Sequence, residues 1–302
     1  MRQILYYLAL IGLVFSILMS MLSGYIRLGD SGIDCQPWPE CFEYSFKLDD
    51  QPGITIDEED PNRGLRVLHR MMASIFGILV VGLFALALWA RDRVRTGMTC
   101  PALIMVVTVI LSVVGFYTPD LAHPWITTVN LVGGMLLAAL LYWYLLNFNE
   151  GDPGERTTMI ALCLVFAVIV TGAWVSASFA AIGCDGLFSC SIAGASADGF
   201  NPLRVLEFVE GEFVPSGDEG VILLVHQLTG LVAIAALGFM AVVRLKASAG
   251  RSLLPVVLML SLVGVIVAEH AQRSVELASL HNILSLCLLL ILIQQYRRWD
   301  GN

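Results

Sequence analysis

The stretch SGIDCQPWPEC (residues 31–41) has a counterpart in AIGCDGLFSC (residues 181–190), and this pairing decides the fold. Five residues separate Cys35 from Cys41, five separate Cys184 from Cys190, and the second pair lies 149 positions after the first. A hydrophobic span precedes each pair, and an acidic loop and another hydrophobic span follow it. The chain is therefore read as an internal duplication, residues 1–150 and 151–302, with one short cysteine-bracketed loop in each half.

Composition sets the solvent. Charged residues make up 14% of the 302-residue chain and hydrophobic residues 57%, whereas soluble domains carry about 25% charged residues. The mean hydropathy is +0.79, and runs approaching the roughly 20 apolar residues that a bilayer requires recur along the sequence. The net charge of −8 comes from acids clustered at 43–60 and 207–219. No basic stretch of the kind that binds nucleic acid occurs. The expected fold is an all-α integral membrane protein, with the lipid bilayer as its solvent.

Eight transmembrane helices are predicted, near 4–25, 66–90, 101–118, 126–147, 157–179, 220–244, 253–269 and 276–296, arranged as two pseudo-symmetric four-helix bundles. The third, seventh and eighth are short or polar at one end. Basic residues in the 91–97 and 244–251 loops, in the tail and at Arg2 all fall on one side of this topology. The positive-inside rule then makes both termini cytoplasmic and both cysteine loops extracytoplasmic. The first apolar run is too long for a signal peptide, and no small-residue cleavage site follows it. The outer face is the compartment where disulfides persist, so Cys35–Cys41 and Cys184–Cys190 are read as disulfides. Free thiols and a metal site are the alternatives, but no nearby Cys or His completes a tetrahedral set. Cys100, Cys163 and Cys287 are read as small apolar filler.

The histidines follow the repeat. His69 (RVLHRMM) and His226 (LLVHQLT) lie 157 apart, each near the outer end of the helix after an acidic loop. His281 (ASLHNIL) lies near the outer end of the last helix, and the matching position 151 residues earlier is Asn130. Ionisable groups inside a membrane are costly, which makes each a functional candidate. Two imidazoles at matched depth on two helices of a bundle form a bis-histidine haem site. The plain alternative is that His226 and His281 cap helices or bond carbonyls. Arg70 and Arg273 lie at the level where haem propionates would need cations. His123 and His270 fall at predicted loop junctions and are read as interfacial polar residues.

At these residues the chain resembles the haem A synthase family over nearly its whole length. SGYIRLGDSGIDCQPWPEC is similar to that family's first-loop signature, and LHRMMASIFGILV to the start of its second helix. GCDGLFSC, VHQLTGLV and LHNILSLCLLL resemble the second half's cysteine pair and haem-ligand helices. The resemblance implies haem b bound in the C-terminal bundle. It implies haem O received in the N-terminal bundle and oxidised at its C8 methyl to the formyl group of haem A. His226 and His281 match the haem b ligands, His69 a ligand at the substrate site, and Cys35/Cys41 the pair associated with that site. The implied partners are haem O and its synthase, the terminal oxidase assembly machinery and an electron donor whose identity the sequence does not specify.

Two positions depart from the family pattern. Arg66 stands three residues before His69, where the family has Glu. Asn130 stands where it has a second histidine. Asparagine is a poor iron ligand beside imidazole. His123 does not substitute for it, because seven residues of helix span about 10 Å and Pro124 interrupts the helix. One reading is therefore a divergent haem A synthase with His69, Arg66 and Asn130 at the catalytic site, where Glu59 or Asp60 supplies acid–base chemistry. The alternative is a catalytically inactive haem-binding membrane factor that delivers haem or transfers electrons through the His226/His281 site. A transporter built on parallel repeats is the more distant reading, because Gly133-Gly134 reads better as close helix packing than as a broken helix.

Overall fold

The computed structural model describes residues 1–30, 63–92, 97–117, 122–148, 156–193, 195–209, 212–245, 249–272 and 274–297. Cys35, Cys41, Glu59, Asp60 and Arg273 lie outside the described residues, and the Arg66 and His270 side chains are likewise not described.

Eight α-helices are present among the described residues: α1 (Arg2–Asp30), α2 (Arg63–Trp89), α3 (Thr99–Tyr117), α4 (Pro124–Leu146), α5 (Arg156–Ala177), α6 (Glu219–Leu245), α7 (Ala249–Gln272) and α8 (Val275–Arg297). Six are long and apolar enough to cross a membrane. The apolar parts of α3 and α7, Thr99–Gly115 and Pro255–Val267, are shorter. Pro255 sits inside α7, where it removes a backbone donor. The α4 helix opens on Pro124 with His123 at its N-cap; proline's fixed φ and missing N–H suit it to the first helical turn. The α7 helix runs to Gln272, so His270 falls within its last turn and not at the loop junction read from the sequence.

Helix α1 packs on α2 and α4, and α3 packs on the same two; α5 packs on α6 and α8, and α7 on the same two. Contacts between the halves run through α1–α8, α4–α5 and α4–α8. Leu5, Leu141, Tyr144, Leu288, Leu289 and Leu292 are all fully buried within one apolar cluster. Lipid competes for apolar surface as well as protein does, so close backbone approach carries much of the association. At Gly133 a methyl would come within 2.5 Å of a Leu111 methyl, and at Gly134 within 2.8 Å of Ser20 Oγ. The glycine pair thus lets α4 approach α3 and α1, as the sequence reading anticipated.

The loop between α5 and α6 is structured. An antiparallel hairpin pairs β1 (Cys184–Gly186) with β2 (Ser189–Cys190), and a second pairs β3 (Phe208–Val209) with β4 (Glu212–Phe213). Cys184 and Cys190 are joined by a disulfide. The loop is seated by very close backbone packing. A side chain at Gly220 would collide with the Ser191 carbonyl, and one at Gly183 with the Glu219–Gly220 backbone. Leu206 N–H also donates to the Ala122 carbonyl at 2.7 Å, tying the loop to the start of α4.

Candidate functional site

His226 on α6 and His281 on α8 come together. Their ring centroids are 6.3 Å apart, and the ring planes are inclined by 28°. That gap is wider than van der Waals stacking of two imidazoles. With about 2 Å for each metal–nitrogen bond and about 1.1 Å from nitrogen to ring centre, two imidazoles that shared one ion would have centres no more than about 6.2 Å apart. The observed separation would leave room for such an ion.

Helix α5 prepares the His226 ring. Thr171 Oγ1 lies 3.0 Å from His226 Nδ1 and 3.1 Å from the carbonyl oxygens of both Ala167 and Val168. A hydroxyl has one proton to donate. With that proton on a carbonyl of its own helix, the oxygen would accept from Nδ1–H and leave the His226 lone pair on Nε2; with that proton donated to Nδ1 instead, the roles reverse. Such an outer partner fixes both tautomer and ring orientation of a metal-binding histidine. Gly172, the next residue, lets the helix backbone lie against the ring: a Cβ there would be 3.0 Å from Cε1 and 3.6 Å from Nε2 of His226. Beside Thr171 lies a cavity of about 210 Å³ lined by Thr128, Val170, Thr171, Trp174, Phe200 and Ile222.

The first half supplies the other candidates. His69 is half-buried on α2 and Arg70 beside it is exposed, while Arg66 belongs to the first turns of the same helix. Asn130 lies on α4, half-buried. The helices carrying His69 and Asn130 each pack on both α1 and α3.

Arg27 has a role that sequence reasoning missed. Its side chain, on α1, is 7% exposed and donates to the Ser176 and Ala177 carbonyls at 3.1 and 3.4 Å. A cation suits these last carbonyls of α5, where the helix dipole is negative. The guanidinium also lies 4.3 Å from the centre of the Phe179 ring, which stacks on Phe213 at 5.0 Å. Arg27 thus ties the helix leading into the first cysteine loop to the loop that carries the second. An arginine near the end of an apolar span was the available signal.

Also missed was a buried ion cluster at the start of α6. Arg204 lies 3.7 Å from Asp218 and 3.5 Å from Glu219, and all three are nearly fully buried. Glu219 accepts from the backbone N–H groups of Ser216 (3.1 Å) and Gly217 (2.9 Å), and Asp218 from that of Ser196 (2.7 Å). The Ser216 hydroxyl in turn accepts from Asp218 N–H at 3.3 Å. The Ser216–Glu219 segment thus closes a turn just before α6, with Glu219 at the first helical position.

Membrane-length helices that bring two imidazoles within 6.3 Å of each other define a helical membrane protein with a histidine pair between two of its helices. The chain belongs to the cytochrome oxidase assembly protein family, whose model matches residues 6–293. Over 216 residues it is 26% identical to the heme A synthase of Shewanella oneidensis, a match covering 64% of this chain and 64% of that protein. The chain thus aligns with somewhat less than two thirds of that relative's length.

Proposed function

We propose that the protein is a haem A synthase-like membrane oxidoreductase that converts haem O to haem A for terminal oxidase assembly. The observation that carries this reading is the His226/His281 pair, with ring centres 6.3 Å apart, in a chain of this family. In this reading residues 151–302 form a four-helix bundle holding haem b between these imidazoles. Residues 1–150 form its pseudo-symmetric partner, which receives haem O near His69, Arg66 and Asn130. Both termini lie in the cytoplasm, and both cysteine loops lie outside the cell membrane. The neighbour relations of the helices support the two-bundle division, since each half closes on itself in the same cyclic order.

The chain's own contributions can be separated from those of the haem. Thr171 and Gly172 set the tautomer and orientation of His226. Apolar helix faces exclude water, and Arg27 holds the two halves in register at their outer ends. Arg70, exposed beside His69, supplies a cation for a propionate. Bound haem supplies redox-active iron, and haem O is the substrate.

A second reading rests on the two departures from the family pattern read in the sequence, Arg66 and Asn130. In that reading the protein is an inactive haem-binding factor for haem delivery or electron transfer. Co-expression with a source of haem O, followed by chromatography of extracted haems, separates the two. The synthase reading predicts haem A that is absent from the vector control. A folded, haem-loaded protein that forms none establishes the binding factor. Activity appearing only in the Arg66→Glu/Asn130→His double variant would identify the native site as degenerate.

A further inference from the structure

The disulfide hairpin exposes apolar side chains at its tip: Leu187 is 43% exposed and Phe188 49%. An aromatic tip on a loop between membrane helices has to meet water, protein or lipid, and its depth decides which. Phe188 N–H donates to Gln227 Oε1 at 2.9 Å, and Cys190 Sγ lies 3.9 Å from the same oxygen. Gln227 is eight residues past Glu219, the first residue of α6. At about 1.5 Å per residue, the hairpin tip therefore reaches roughly 12 Å down the helix from the buried Arg204–Asp218–Glu219 cluster. Headgroups occupy only about 5–7 Å on each side of a hydrocarbon core some 30 Å thick. With the candidate span of α6 beginning at the cluster, at Glu219, the tip lies about 5–7 Å below the headgroups, in the outermost part of the acyl chains. The α6 surface continues downward from there in exposed apolar residues, Leu228, Leu231 and Val232.

We infer that the Cys184–Cys190 hairpin is a membrane-seated wedge whose Leu187 and Phe188 side chains insert into the outer lipid leaflet beside the helix that carries His226. Phe188 has a positive φ of 60°, a conformation that non-glycine residues rarely adopt and that strained functional loops retain. The disulfide closes the hairpin, and Gln227 fixes its height on α6. The partner is the phospholipid itself at the headgroup–acyl boundary, which accepts aromatic and aliphatic side chains. This inference stands apart from the proposed activity, since an inactive haem-binding factor would seat the hairpin in the same way.

The test uses the full chain in phosphatidylethanolamine/phosphatidylglycerol nanodiscs with the photoreactive p-benzoylphenylalanine replacing Phe188. After irradiation, intact-protein mass spectrometry should give an adduct of one phospholipid mass, as should the same probe at Leu231 on α6. A probe at Pro215, exposed in the segment that carries the ion cluster, should give none. Absence of a lipid adduct at 188, with Leu231 labelled, overturns the inference. So does cross-linking to a second polypeptide, which would place a protein partner on the hairpin. If the probe at 188 prevents folding, the same probe replacing Leu187 carries the same two outcomes.

Discussion

Gly172→Leu should weaken haem binding at the proposed site without removing either of its two histidines. The backbone at Gly172 lies so close to His226 that even a methyl would press on Cε1 at 3.0 Å and stand over Nδ1 at 3.5 Å. A leucine adds three further carbons in that direction. The ring must then rotate away, losing both its bond to Thr171 and its alignment with His281. Overpacking of this kind costs about 1–3 kcal/mol, which corresponds to a roughly 5- to 150-fold loss of affinity. Haem per protein, measured after purification under limiting haem, should fall accordingly, with Gly172→Ala intermediate. The helix content by circular dichroism should stay unchanged. Full haem occupancy in Gly172→Leu would mean that His226 is not held in the geometry described.

Arg204→Ala should produce the largest loss of stability in the loop between α5 and α6. The substitution strands two buried carboxylates, Asp218 and Glu219, that now share one guanidinium. Removing one partner of a buried pair costs about 3–5 kcal/mol. Three backbone N–H groups continue to bond these carboxylates, which places the effect near the lower end, about 3 kcal/mol. Chemical denaturation in detergent, followed by proteolysis of the loop, reads this directly. The double variant Arg204→Met/Glu219→Gln should recover part of the loss, because it removes charge on both sides. Equal stability of Arg204→Ala and the parent protein would show that the cluster is solvated.

The spans were legible because a bilayer imposes their length and apolarity, leaving a strong signal over many residues. Pro124 as the break between His123 and the helix of Asn130, and Gly133-Gly134 as a packing surface, were legible for similar reasons, since each residue type has a restricted backbone or steric meaning. The His226/His281 pair could be read from the repeat, which placed both at matching heights. Gly172 could not. A single glycine in the apolar run VTGAWV reads as ordinary helix packing until the histidine of another helix is placed against it. Arg204 carried no periodic signal in its irregular loop, and its carboxylate partners lie well along the chain. The extra residues at the ends of α1 and α7 reflect helical turns that continue past the apolar stretch, where hydropathy gives no boundary.

The central claim is that His226 and His281 hold a haem between them, and a reduced-minus-oxidised difference spectrum tests it most directly. The purified parent protein should give a b-type signal, and His226→Ala and His281→Ala should each abolish or strongly alter it, with both variants still folded. A parent protein without that signal, or one whose signal survives both substitutions unchanged, would contradict the account.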